Sequence, residues 1–135
     1  LYLVIGEHSR VTPRERWQPV VNPDAERGLG TSIAAGVRAA AHHDRVVIAL
    51  ADMPLMEPAH LRLLGQETGA LFTRQPDGSA GSPAAFGREH FAQLQSLDGD
   101  RGARSLALPK ALVIEPSTCG MLVDIDTPSD IASQQ

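Results

Sequence analysis

The sequence predicts an α/β domain with a mostly parallel sheet. Short apolar runs alternate with segments whose apolar residues recur at helical spacing, Leu1–Ile5 and Arg45–Ala51 being the plainest of the runs. Gly, Pro, Asn and Asp mark the joints between them. The 135 residues suit one domain, residues 1–135, around one core, with no internal repeat or low-complexity tract.

Leu1 to Ile5 reads as a buried parallel strand closed by Gly6, and Trp17 to Val21 as a weaker one broken by Asn22-Pro23-Asp24. A helix follows from Ile33, with Ile33, Val37, Ala40 and Ala41 on one face and Thr31 or Ser32 as its N-cap. Arg45 to Ala51 is the central strand. Pro58 opens the next helix at the first helical position, with Leu61 and Leu64 facing inward. Ala70 to Thr73 is a strand. Gln75 to Pro83 is rich in turn formers and reads as a loop that could serve as a flap. Ala84 to Phe86 is extended, and Phe91, Leu94 and Leu97 mark a helix. Asp100 would cap a further short helix ended by Pro109. Ala111–Glu115 and Met121–Asp124 are expected strands, and Thr127-Pro128-Ser129-Asp130 has the form of a capping box for a last helix.

Composition narrows the function. Net charge is −4, whereas a nucleic-acid binder of this size is usually basic. Val46 to Ala51, the longest apolar stretch, is too short to span a bilayer. Lone Cys119 excludes an internal disulfide and a Cys-rich zinc site. The expectation is a cytoplasmic enzyme acting on a small molecule, with neither nucleic acid nor membrane as partner.

Acidic residues stand where apolar runs end. Ala51-Asp52-Met53-Pro54 closes the central strand, and Asp124-Ile125-Asp126 closes the last. Strand C-termini are where open α/β sheets bind ligands. Two carboxylates converging there would seat Mg²⁺ carrying a nucleoside triphosphate. Taken singly, Asp52 could equally be a turn aspartate and Asp126 a helix cap. Asp124 and Asp126, two apart, would share one face of a strand. Gly28-Leu29-Gly30-Thr31-Ser32 offers backbone N–H groups at a helix start, as an anion site or as an ordinary glycine-rich turn. Arg101 and Arg104, three apart, would lie near one face of a helical turn and suit a phosphate. The five histidines show no metal-ligand spacing and are given no catalytic role.

Five stretches, in order, resemble the nucleotidyltransferases that attach a nucleotide to molybdopterin, most closely the molybdenum cofactor cytidylyltransferase branch. They are Asn22–Ser32, Ala51–Pro54, Gly81–Phe86, Gly99–Arg104 and Asp124–Asp130. The resemblance implies a Rossmann-like nucleotidyltransferase fold and Mg²⁺ held by Asp52 and Asp126, the catalytic pair. It implies a nucleotide site at Asn22, Pro23, Gly28, Ser32, Ala51 and Asp52, and an acceptor site at Gly81, Ser82, Pro83, Arg101 and Arg104. The acceptor's phosphate would attack the α-phosphorus and release pyrophosphate. CTP is favoured over GTP, molybdopterin is the acceptor, and a molybdoenzyme or its chaperone would receive the product. The family opens with a strand and a Gly-rich loop carrying Arg and Lys, and that βα unit is expected to be missing upstream. Ala51 stands where the family has Gly, and Ser82 where it has His. Two alternatives stay open: a non-catalytic cofactor-binding relative, and a sugar-phosphate nucleotidyltransferase of the same fold.

Overall fold

The computed structural model describes residues 1–126. The elements are β1 (Tyr2–Gly6), β2 (Gln18–Asn22), α1 (Leu29–Ala39), β3 (Arg45–Ile48), α2 (Pro58–Gln66), β4 (Leu71–Arg74), β5 (Ala80–Gly87), α3 (Phe91–Gln95) and β6 (Leu112–Ile114), with single 3-10 turns between several of them. Two compact units result among the described residues: Leu1–Val46 with Phe86–Pro109, and Val47–Ala85 with residues 110–126. The division falls within β3 and within β5.

In the first unit β1 and β2 pair in parallel, from Tyr2 opposite Gln18 to Gly6 opposite Asn22. Helix α1 packs on both strands and on α3. Its inner face is Ile33, Ala34 and Val37, four- and three-residue spacings that fall on one stripe. Removing Ile33 and Val37 from water contributes roughly 1.5–3 kcal/mol each. The small residue Gly36 lets Val4 of β1 approach, since a Cβ there would lie 3.0 Å from the valine methyl. Phe91, Leu94 and Leu97 are buried, as the spacing predicts, although α3 itself stops at Gln95.

In the second unit β4 pairs in parallel with β6, Leu71 opposite Leu112. It pairs antiparallel with β5, Leu71 opposite Ala85. The strand order of this sheet is β3-β5-β4-β6. Leu64 of α2 buries itself with Leu71 and Ala85, and Ile114 packs on the group. Helix α2 begins at Pro58, where a missing N–H leaves nothing unsatisfied.

Several expectations need correction. The sheet is only partly parallel, because Gln75–Ser79 is a tight turn and not a nine-residue loop. Gln75 N–H bonds the Ser79 carbonyl and Gly78 N–H the Gln75 carbonyl, with Gly78 at φ +84°. A turn that short reverses the chain, so β5 must run antiparallel to β4. Strand β3 ends at Ile48, three residues before Ala51. Gly28, not Thr31 or Ser32, precedes α1, and Ala41 lies past its end and exposed. After α3 the chain makes one 3-10 turn at Ala103–Ser105, flanked by Gly102, so Asp100 caps nothing. Met121–Asp124 is not a strand: Cys119–Leu122 is a 3-10 turn that buries Met121 and Leu122. The predicted capping box and final helix lie outside the described residues. Among the described residues no helix is long and apolar enough to cross a membrane.

Candidate functional site

In the first unit the residues Asn22 to Ser32 form one hydrogen-bonded loop. Asn22 is buried at the end of β2, and its amide donates to the Thr31 hydroxyl at 2.9 Å and the Ser32 hydroxyl at 3.1 Å. Its carbonyl oxygen accepts from Asp24 N–H at 3.1 Å. The single proton of the Thr31 hydroxyl is shared in turn between the Asp24 and Gly28 carbonyls, 2.9 and 2.8 Å away. Both amide N–H groups of Asn22 are thus engaged inside the protein, and the residue shapes the loop from within.

The two glycines serve close backbone approach. Gly28 has φ +122°, which side chains rarely adopt. A Cβ on it would fall 2.5 Å from the Gly99 carbonyl carbon, and one on Gly30 2.7 Å from the Arg101 carbonyl oxygen. Gly30 N–H donates to the Gly99 carbonyl at 2.8 Å. The reading of Gly28–Ser32 as a row of free N–H donors is corrected accordingly, because the 98–101 loop takes up one of them. Arg27 pairs with Asp98 across the same junction. This docking brings the main chain of Arg101 beside the Asn22–Ser32 loop, with Arg104 three residues on in the 3-10 turn. Both arginines are exposed and form no side-chain hydrogen bond or ion pair among the described residues.

In the second unit the carboxylates come together without a shared strand face. Asp52 and Ala51 lie exposed in a turn anchored by buried Met53. Ile125 N–H donates to the Asp52 carbonyl at 2.9 Å. That one backbone bond ties Asp124-Ile125-Asp126 to the Asp52 turn. The Asp124 carboxyl is raised above its ordinary value, first by loss of surrounding water and then by the charges of Asp52 and Asp126. The charges of Asp52 and Asp126 thus both bear on Asp124, a condition that a divalent cation relieves. Their hard oxygen donors fit Mg²⁺ or Mn²⁺. Among the described residues no three His, Cys, Asp or Glu side chains are arranged to hold a metal by themselves. Mg²⁺ asks for less, one or two carboxylates completed by phosphate oxygens and water.

The residues Gly81, Ser82 and Pro83 sit in β5 at a bulge. Gly81 opposes Thr73 and Ala84 opposes Phe72, so Ser82 and Pro83 have no partners across the ladder. Two side chains satisfy the carbonyls left over. The Gln75 amide donates to the Ser82 carbonyl at 2.9 Å, and the Thr73 hydroxyl to the Pro83 carbonyl at 2.7 Å.

Sequence reasoning missed His60. It is 1% exposed on α2, with Nε2 2.9 Å from the Thr73 hydroxyl and Nδ1 3.3 Å from the Ser117 hydroxyl. The signal was its position four residues before Leu64, on the helix's inner face. Burial lowers the His60 pKa from 6.5, and the charge of Glu57 offsets part of this. The stability it contributes is therefore present above pH 6.5 and is lost as pH falls through the lowered folded value. His60→Gln is expected to flatten the fall in melting temperature below pH 6.5. A melting profile between pH 4.5 and 8 with the same slope in both proteins would contradict this.

Comparison with known proteins decides the family. The profile of the MobA-like NTP transferase domain matches residues 1–112. The chain belongs to this family. The MobA-like domain is 36% identical to purine catabolism protein PucB of Bacillus subtilis (strain 168) over 124 residues, 87% of this chain and 60% of PucB. It therefore spans less than two thirds of the curated relative's length. Its structure is similar to that of Rv0371c from Mycobacterium tuberculosis H37Rv, with TM-score 0.73 and 29% identity over 98% of this chain and 74% of that one. The structure of Rv0371c in complex with manganese aligns at TM-score 0.67 and 26% identity, covering 98% and 75%. Molybdopterin-guanine dinucleotide biosynthesis protein A from Archaeoglobus fulgidus shares the fold at TM-score 0.55 and 15% identity, covering 87% and 69%. The MobA-like domain thus has the Rossmann-like nucleotidyltransferase fold, with sheets flanked by helices.

Proposed function

We propose that this MobA-like domain transfers CMP from CTP to molybdopterin in the cytoplasm, with Mg²⁺ as the metal. The observation that carries the reading is the Ile125–Asp52 backbone bond, which ties Asp124-Ile125-Asp126 to the Asp52 turn and so brings the charges of Asp52 and Asp126 to bear on Asp124. Asp52 and Asp126 would hold the ion. When bound, Mg²⁺ supplies positive charge to the phosphate oxygens as negative charge builds there. Asn22, Pro23, Gly28 and Ser32 would form the wall for base and ribose, with Ala51 beside the carboxylate turn. Gly81, Ser82 and Pro83, with Arg101 and Arg104, would bind the acceptor, the guanidinium groups matching a phosphate in fork geometry. An acceptor phosphate oxygen bonds to the α-phosphorus, the bond from α-phosphorus to the β-bridging oxygen breaks, and pyrophosphate leaves with that electron pair. The protein's own part is mostly positioning. A molybdoenzyme or its chaperone would take the product. Manganese in the complex of Rv0371c supports a divalent cation of this kind.

The test is pyrophosphate release by the full-length protein with Mg²⁺, crossing CTP and GTP with molybdopterin and a set of sugar phosphates. Release is expected with CTP and molybdopterin together. Release only with a sugar phosphate, or with no combination, would overturn the proposal.

A further inference from the structure

We propose that His60 and Thr73 are positioning residues for the Ser82-Pro83 bulge, and that they couple this bulge to the turn leading into Asp124 and Asp126. The inference rests on the reading above that Gly81–Pro83 binds the acceptor.

The argument begins with proton counting. The Thr73 hydroxyl has one proton, and it goes to the Pro83 carbonyl. Toward His60 the hydroxyl can then only accept, so Nε2 of His60 must carry a proton. In the neutral ring Nδ1 is then an acceptor, and Ser117 O–H is the donor facing it. A chain of one polarity runs from Ser117 through His60 and Thr73 to Pro83. Each bond strengthens the next because the interior polarises along it. Helix α2 also reaches the neighbouring residue: Thr118 O–H donates to the Glu57 carboxylate at 2.9 Å. Thr118 is the residue before the 3-10 turn that leads to Asp124.

Position adds a second argument. A core histidine serving only as filler would be a poor choice at 1% exposure, since a buried polar ring without partners costs stability and an apolar residue costs none. Thr73 is likewise fully buried, and its hydroxyl bonds the one bulge carbonyl that Gln75 does not reach. Removing that hydroxyl leaves the Pro83 carbonyl and the His60 N–H unmatched together. The bulge can then relax, and with it the place where Ser82 stands.

The experiment uses the full-length protein with Thr73→Val, which keeps the branched shape, and Thr73→Ser, which restores the hydroxyl. Thr73→Val is expected to raise the KM for the acceptor about tenfold, since both hydrogen bonds of the hydroxyl are lost and the bulge relaxes, while the nucleotide KM stays within about twofold. Thr73→Ser is expected to recover most of the loss. Nitrogen NMR of the wild-type protein should show His60 as the Nε2–H tautomer. An Nδ1–H tautomer, equal changes in both KM values, or no rescue by serine would overturn the proposal. If no acceptor is turned over, the acceptor reading fails, and the positioning role is then decided by amide exchange. Thr73→Val should speed exchange at Gly81, Ser82 and Thr118 while the β4–β6 ladder stays protected. Uniform loosening would overturn it.

Discussion

Asp52→Asn and Asp126→Asn are each expected to lower nucleotidyl transfer about 10²–10³-fold, the scale on which one well-placed charged group stabilises developing phosphate charge. The amide keeps the shape of the carboxylate but removes its negative charge, so under the proposed function a bound metal would lose a strong ligand while the turn keeps its backbone. The Ile125–Asp52 bond is made by main-chain atoms and survives the change. The two variants should therefore fold like the wild type while losing Mg²⁺-dependent stabilisation of nucleotide binding. Added chelator should bring wild-type turnover down to their level. The measurement is turnover at saturating CTP and acceptor across a Mg²⁺ titration, with melting curves alongside. An Asp52→Asn protein that turns over like the wild type would remove this carboxylate from the reaction.

Gly28→Ala and Gly30→Ala carry the largest expected effect on stability, a loss of about 2–3 kcal/mol each. At Gly28 the backbone conformation and the neighbouring Gly99 backbone both oppose a side chain. At Gly30 the obstacle is backbone alone, the Arg101 carbonyl and the Asp98 main chain. Backbone cannot swing aside as a flexible side chain can, so the 98–101 loop must lift away, carrying Arg101 with it. Gly120 is the control, since a Cβ there meets nothing within 4 Å, and Gly120→Ala should change stability by less than about 0.5 kcal/mol. Urea titrations of the three variants check this. Gly30→Ala unfolding at the wild-type midpoint would mean the close approach is not essential.

Periodicity revealed the elements whose faces are strongly one-sided. Helix α2 was legible because Pro58 marks its first position and Leu64 its inner face. Helix α1 was legible from Ile33 and Val37. The approach of the Asp124-Ile125-Asp126 segment to the Asp52 turn was anticipated on the wrong ground, since neither acid stands at a strand end: β3 stops at Ile48, and Asp124 follows a 3-10 turn. The strand assignment at Met121–Asp124 failed because three apolar residues fit a buried turn as well as a strand. Gln75–Pro83 misled for a related reason. Its Gly, Pro, Asp and Ser residues favour turns, but only half of the stretch is a turn, and the rest is held as strand by the side chains of Gln75 and Thr73. The Gly28–Gly30 pair shows a limit of another kind. Glycine reports that something comes close, and the sequence does not say whether it is a phosphate or the protein's own Gly99. The role of His60 is not legible in the sequence because its partners come from elsewhere in the chain, Thr73 of β4 and Ser117, and no spacing along α2 marks them.

The first unit is discontinuous: Gly30 bonds Gly99 across nearly seventy residues of intervening chain. Such a contact forms late, because a long loop must close before it yields any stabilisation. As the polypeptide emerges from the ribosome, β1, β2 and α1 exist first without their cover, and the Asn22–Ser32 loop lacks the backbone that will lock its glycines. Its final shape has to wait until residues 98–101 have been made. A truncation anywhere before Gly99 would thus leave β1, β2 and α1 fully synthesised yet without their lock, exposing apolar α1 surface to chaperones and proteases.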